Sequence, residues 1–306
     1  MQILIYGTTS HIDRLENILR EYYKVEVINL SKIINMKKNR SIFNKFQLIF
    51  EIIINIYKSK LIYTIFCGNF SIFNFFVFFI ARILNKKIIN HWIGTDILIA
   101  KKNKNKTKIM QLFINYNFSG SKLLHDELYD IGIKSEIVPI ILQDISHKIS
   151  KMPSSHAILV YLPEGREEFY GYSIVLKLIK YFKSIDFYII ANNKIRINEK
   201  NVILLGNVSV EKMNEVYDRI SILLRIPEHD GLSLMVLEAL AKGKYVIYKY
   251  EFPYTYQARN YIEAKEKINL IISHNPPIVN SEASEFISKS YTHEQYLSKI
   301  MEKINE

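Results

Sequence analysis

The sequence predicts an α/β protein made of two doubly wound domains, and three observations carry that expectation. Its 306 residues suffice for two domains of about 150 residues each. Short β-rich apolar runs alternate with longer runs of helical period, in two separate series. Between the series, the stretch from Pro139 to Pro153 has no clear periodicity. The boundary is therefore placed there, giving a first domain at 1–148, a second at 149–290 and a closing helix at 291–306.

Taken in order, the first series reads strand 2–6, helix 11–22, strand 25–29, helix 43–58, strand 61–66, helix 71–84 and strand 87–92. It continues with helix 107–113, strand 116–119, helix 121–130 and strand 135–138. The strand-helix alternation implies parallel sheets with helical crossovers. The second series reads strand 157–162, helix 171–182, strands 186–190 and 202–205, helix 209–217, strand 220–224, helix 231–242 and strand 244–248. The tail from 281 to 304 looks helical, with Tyr296, Ile300 and Ile304 on one face.

Two stretches need separate treatment. Leu61 to Ala81 runs 21 residues without a charge, long enough to cross ~30 Å of hydrocarbon. Gly68-Asn69 splits it, and Asn69, Ser71 and Asn74 crowd its middle, so a buried strand followed by a buried helix is preferred to a membrane span. Lys101 to Lys108, KKNKNKTK, places five lysines in eight positions and reads as a mobile, solvated loop. The start, MQILIYGTTSH, has no basic leader or small-residue cleavage pattern and reads as a first strand.

Composition narrows the classes. With 49% hydrophobic residues, 41 Lys and Arg against 30 Asp and Glu, and a net charge of +11, the chain is folded and basic. The single cysteine, Cys67, excludes an intrachain disulfide and a cysteine zinc site, and makes a reducing cytosol the expected compartment. The charge is lopsided: residues 1–150 hold 21 Lys and Arg against 11 Asp and Glu, a net of +10, and the rest is nearly neutral. The first half is expected to meet something anionic.

The chemistry concentrates in RIPEHDGLSLMVLEALAKGKYVIY, Arg225 to Tyr248. A strand ends in a proline loop, and Asp230-Gly231 is expected to open a helix with an apolar stripe. Free N–H groups and the helix dipole at its start would hold a phosphate or diphosphate, with Gly231 allowing close approach. Asp230 and Glu238, eight residues apart, would lie ~12 Å apart along a helix axis, a span suited to a nucleotide sugar. Structural readings compete. Asp230 makes a good N-cap, and Glu238 stands four before Lys242, an ordinary ion-pair spacing. Tyr6 to Ser10 lacks the Gly-x-Gly-x-x-Gly pattern of dinucleotide oxidoreductases, leaving Gly7 as a tight turn. There is no Asp-x-Asp, no metal-ligand spacing and no Gly-x-Ser-x-Gly elbow.

Asp230, Gly231, Glu238, Ala239 and Gly243 resemble the acidic-x7-acidic signature of glycosyltransferase family 4 and its GT-B relatives. HWIGTDIL, His91 to Leu98, is similar to their acceptor-side segment, and EGREEFYG, Glu164 to Gly171, to their diphosphate-binding segment. The resemblance implies a GT-B fold, two Rossmann-like domains facing across a cleft lined by Gly7, with the last helix returning to the first domain. It implies that Glu238 binds the ribose, that Asp230 and His229 orient the donor sugar, and that Gly231, Leu232, Ser233 and Leu234 contact sugar and phosphate. Arg166 would bind the diphosphate. The Lys expected five residues later is replaced by Gly171, and Arg225 and Lys249 are the candidate substitutes. Ile93 stands where many members carry a His. His91, two residues earlier, is then a substrate contact or a partly buried strand-end histidine. Asp96, with Thr95 on the acceptor side, is an acceptor base or the cap of the next short helix.

The resemblance implies a retaining transfer from a nucleoside diphosphate sugar to a glycan or lipid-linked acceptor, with no metal or other cofactor. The basic first half adds an expected peripheral contact with an anionic membrane. A nucleotide-sugar binder without turnover is the alternative, suggested by the missing Lys. Nucleic-acid binding is disfavoured because no reading motif is present.

Overall fold

The computed structural model describes residues 2–7, 9–37, 42–69, 71–143, 145 and 148–305. It divides into two compact units, Met1–Asp144 with Tyr291–Glu306, and Ile145–Ser290.

The first unit runs β1 (Gln2–Gly7), α1 (Thr9–Tyr23), β2 (Glu26–Asn29), α2 (Leu30–Lys37), α3 (Ile42–Lys58), β3 (Leu61–Ile65), α4 (Ile72–Ile83), β4 (Lys87–Trp92), α5 (Thr95–Lys102), α6 (Lys104–Gln111), β5 (Tyr116–Ser119), α7 (Lys122–Tyr129) and β6 (Glu136–Ile137). Its sheet has the order β2-β1-β3-β4-β5-β6, with parallel pairing. Every residue of β3 is buried, as expected for a strand covered on both faces. The uncharged run of 61–81 is therefore β3 and α4; Phe70 lies outside the described residues. No helix among the described residues is long and apolar enough to cross a membrane.

Two expectations fail here. KKNKNKTK is not a loop: it forms the end of α5 and most of α6, broken at Asn103. Thr107 and Met110 turn inward while Lys104, Lys106 and Lys108 stay exposed, and Lys101 pairs with Glu127 at 2.7 Å, so the charges are spread around two short helices. The polar stretch after β2 also hides α2, which starts directly from the strand and is buried at Leu30 and Ser31.

The second unit runs β7 (Ala157–Tyr161), a single 3-10 turn (Glu168–Tyr170), α8 (Tyr172–Tyr181), β8 (Asp186–Ile190), β9 (Val202–Gly206), α9 (Val210–Arg219), β10 (Ile222–Arg225), α10 (Leu234–Ala241), β11 (Tyr245–Tyr248), β12 (Tyr256–Gln257), α11 (Tyr261–Ile272) and α12 (Ser281–Ser290). Its parallel sheet has the order β12-β11-β10-β7-β8-β9. Asn201 ties α8 to the sheet by donating to the carbonyls of Ile179, Phe182 and Ile185 at 3.0–3.2 Å. The helix α11, absent from the sequence reading, buries Ala264, Ile268 and Ile271.

The tail is two helices. α12 ends at Ser290, and α13 (His293–Asn305) starts where Thr292 accepts from the Gln295 amide at 3.2 Å. α13 belongs to the first unit. Its Tyr296 is buried, and its hydroxyl lies 2.8 Å from that of Tyr63 in β3, which lies 2.6 Å from His91 Nδ1 in β4. Burial lowers the His91 pKa to about 3, so the ring is neutral. The His91 ring and the two tyrosine hydroxyls form one buried chain of hydrogen bonds across β4, β3 and α13. Lys299 adds an ion pair to Glu136 of β6 at 2.9 Å. Replacing Tyr296→Phe should lower the stability of the first unit by about 1 kcal/mol, read as a reduced urea midpoint. An unchanged midpoint would show that the chain of hydroxyls contributes nothing.

Candidate functional site

Both sheets change direction beside their first strand. In the second unit β8 lies on one side of β7 and β10 on the other, so crossovers leave on opposite sides and a crevice opens at the carboxyl ends of β7 and β10. The last residues of β7, β10 and β11 are Tyr161, Arg225 and Tyr248. Arg225 is 8% exposed. Its Nε donates to Asp230 Oδ2 at 2.7 Å, and Tyr248 donates to the same oxygen at 3.2 Å. The Arg225 guanidinium also lies 5.5 Å from the Tyr161 ring and 5.4 Å from the Tyr170 ring. Burial opposes its charge, but Asp230, with Tyr248 and Tyr170, more than offsets that and the pKa is raised.

Asp230 is therefore not an N-cap. The segment from Ile226 to Ser233 is a loop, α10 starts at Leu234, and Ser233 is its N-cap. The reasons are local. Arg225 and Tyr248 hold the Asp230 carboxylate, and the Glu228 amide donates to Phe169 O at 2.7 Å, so the chain cannot turn helical until it is past Gly231. Only Glu238 of the acidic pair lies on the helix, and the axial spacing expected between them does not apply. The Ser233 side chain makes no capping hydrogen bond, which leaves the start of α10 open to an anion. Glu238 Oε2 accepts from the Tyr217 hydroxyl at 3.0 Å, and burial and that carboxylate push the tyrosine pKa well up. Leu232, His229 and Gly231 are half-buried along the loop.

The loop after β7 packs on this one. Gly171 takes φ 83°, and a Cβ there would lie 2.9 Å from Ile226 Cγ1 and 3.0 Å from Ile226 O. That contact is a physical reason for glycine where the resemblance expects lysine. Arg166 is exposed, with its guanidinium 4.3 Å from the Phe169 ring and 5.5 Å from the Tyr170 ring. Tyr170 thus brings the two arginines to one ring. Arg166 and Arg196 line a groove of about 550 Å³ with Glu167 and Glu168. The Lys249 amine lies 6.0 Å from the Tyr250 ring. The sequence reading missed Tyr161, Tyr170 and Tyr248. For Tyr161 and Tyr248 the available signal was a tyrosine at or next to the carboxyl end of the predicted strands 157–162 and 244–248.

The first unit arranges its switch point differently. Gly7 ends β1 between β2 and β3, with φ 154°. Its amide donates to Ser31 Oγ at 3.1 Å and its carbonyl accepts from the same hydroxyl at 2.9 Å. A Cβ would lie 2.1 Å from Ile65 O, so only glycine fits. His91 is fully buried beneath Tyr63 and Tyr296, and the expectation of a substrate contact is replaced by a core histidine. Asp96 is also fully buried. Its Oδ1 accepts from the amides of Gly94 at 2.8 Å and Ile97 at 3.1 Å, and both oxygens lie 3.2 Å from the Ile93 amide. It shapes the turn into α5 from within, while Gly94 holds the N-cap position, and it presents no carboxylate to an acceptor. Thr95 beside it is exposed.

No family model and no curated protein matches the chain. Solved structures do. The lipopolysaccharide outer core galactosyltransferase WaaB in its apo form is 12% identical, with a TM-score of 0.68 over 99% of this chain and 100% of its own. UDP-GlcNAc 2-epimerase from Neisseria meningitidis bound to UDP-GlcNAc is 13% identical, with a TM-score of 0.54 over 99% of each chain. TarM is 14% identical, with a TM-score of 0.59 over 80% of this chain, which spans about half (55%) of TarM. At such identities the likeness is one of fold, and the fold is GT-B: two Rossmann-like domains, each with a parallel sheet and flanking helices.

Two buried groups of the first unit, Asp96 and His91, titrate in opposite senses. Burial raises Asp96 from 3.8 to about 6, against the amides that favour its charge. A raised folded-state value means that its contribution to stability is full below the unfolded value and is lost as pH rises through about 6. His91, lowered from 6.5 to about 3, contributes fully above 6.5 and loses that contribution as pH falls toward 3. Asp96→Asn removes only the first effect. The variant should lose less stability than the parent as pH rises from about 4 to about 7, measured as thermal midpoint. Parallel curves would refute the shift.

Proposed function

We propose that this chain is a glycosyltransferase that moves a sugar from a nucleoside diphosphate sugar to a glycan or lipid-linked acceptor. The observation that carries the reading is the set of groups at the switch point of the second sheet. Two arginines share the Tyr170 ring beside the uncapped start of α10, on a fold that a galactosyltransferase also has. Arg166 and the α10 amides take the diphosphate and stabilise its charge as the glycosidic bond breaks. Glu238, at the second turn of α10, accepts from the ribose hydroxyls. His229 and Asp230 orient the donor sugar, and the backbone from Gly231 to Leu234 follows the sugar and phosphates. Arg225 acts through Asp230, whose position it sets. Positioning and charge stabilisation carry the rate, the anomeric configuration is retained and no metal is required. The basic first half faces the acceptor or the anionic membrane that presents it.

A second reading, a nucleotide-sugar binder without turnover, is favoured by one feature. The lysine position is a glycine that cannot take a side chain, and Arg225 is already neutralised by Asp230.

Thermal denaturation against a panel of nucleoside diphosphate sugars should single out one donor that raises the midpoint. Glu238→Ala should weaken that donor about tenfold, and Arg166→Ala should reduce transfer more than binding. Release of nucleoside diphosphate only with acceptor supports transfer; donor binding without release supports the second reading. Epimerised donor as the product would move the chain to another class. Stabilisation by no nucleotide sugar would overturn both readings.

A further inference from the structure

The end of α10 away from the candidate donor site carries two lysines that the proposed reaction does not use. Lys242 is 6% exposed and Lys244 is fully buried. Neither amine is needed to cap the helix. The carbonyls of Glu238, Ala239 and Leu240 accept from the amides of Lys242, Lys244 and Gly243, and Lys242 O accepts from the Ser150 amide at 3.2 Å. Ala241 O accepts from the Ser284 hydroxyl. Every carbonyl of the last turn is then satisfied without a lysine side chain.

The two amines meet different groups. Lys244 Nζ donates to Lys151 O at 2.7 Å and to Met152 Sδ at 3.4 Å, which fastens the segment that enters the second unit against the end of α10. Lys242 Nζ lies 5.6 Å from the Tyr217 ring and makes no hydrogen bond or ion pair among the described residues. Burial lowers the pKa of both, that of Lys244 to about 8, and Lys242 adds to the lowering at Lys244. Holding two like charges together away from water costs free energy that a bound anion would offset.

A cavity of about 430 Å³ lies at this place, lined by Lys148, Lys151 and Lys242 together with Asp218, Asn214 and Ser150. All of these belong to the second unit. The lining describes the occupant. Three lysines against one aspartate leave a net charge of +2, the complement of a phosphomonoester near its second ionisation. Asp218, whose Oδ1 also takes the Lys151 amide at 3.0 Å, would repel the phosphate itself and instead accepts from hydroxyl groups, as Asn214 and Ser150 also can. None of the lining residues is aromatic, so a nucleobase finds no stacking partner there. The volume suits a small polar molecule.

We propose that the cavity at the end of α10 binds a small polyhydroxy phosphomonoester, its phosphate among Lys148, Lys151 and Lys242 and its hydroxyls on Asp218 and Asn214. Such a ligand ties the entry segment of the second unit to α9 and α10. The site is separate from the candidate donor site and stands whether or not the chain transfers a sugar.

Thermal denaturation and calorimetric titration of the full chain with ribose 5-phosphate and with glycerol 3-phosphate test it. At least one ester should raise the midpoint, ribose and glycerol should not, and sulfate at matched ionic strength should raise it less. The double variant Lys148→Ser, Lys151→Ser removes two exposed side chains; it should keep the unliganded midpoint and weaken the ester about tenfold or more. Lys242→Met, which keeps the apolar stem, should weaken it by a similar factor. Arg166→Ala, in the candidate donor site, should leave the affinity unchanged. No midpoint shift with either ester, or a shift that sulfate reproduces in full, overturns the proposal. Affinity lost in Arg166→Ala but kept in the double lysine variant also overturns it and assigns the ester to the donor site. A Lys242→Met chain that binds the ester as tightly as the parent shows that this lysine only shapes the fold.

Discussion

A guanidinium that is nine-tenths buried needs a counter-charge with good geometry, because an unpaired charge in that place costs several kcal/mol. At the end of β10 that counter-charge is Asp230, which also takes the Tyr248 hydroxyl. The pair does more than neutralise Arg225. It fixes where the following loop leaves the sheet, keeps the chain out of helix for eight residues and so decides which amides of α10 face outward. The loop after β7 is then shaped against Ile226, and Tyr170 is brought over both arginines. The candidate donor site follows from one buried ion pair.

The two units solve the same topological problem with different chemistry. Each sheet opens a crevice beside its first strand. In the second unit the strand ends carry tyrosines and an arginine, leaving polar groups for a ligand. In the first unit they close on themselves. Gly7 exchanges two hydrogen bonds with Ser31, and the buried His91 of β4 and Asp96 of α5 are spent on holding the fold.

Much of the fold was legible because parallel sheets write themselves as separate apolar runs, and the strands β1, β4, β5 and β8 fall where periodicity puts them. α2 was not legible because it starts directly from a strand with no breaker, whereas α11 was missed although Asn260 and Glu263, its N-cap pair, mark its start. Of the candidate site, the identity of Arg225, Asp230 and Glu238 could be picked out from residue type, but their geometry could not. An Asp before a Gly is as good a cap as a salt-bridge partner on paper, and only the burial of Arg225 decides between them. His91 and Asp96 show the converse: a polar residue at or just past a strand end reads as functional until the neighbouring elements, α13 in one case and the turn into α5 in the other, are seen to enclose it.

α13 comes last in the chain yet completes the first unit. The hydroxyl of Tyr296 closes over Tyr63 and His91, and Lys299 pairs with Glu136. During synthesis, every residue of the second unit therefore leaves the ribosome before the first unit has its final helix. The unit that is made first is finished last. Until then β3 and β4 carry an open seam at His91, where the Tyr63 hydroxyl lacks its Tyr296 partner.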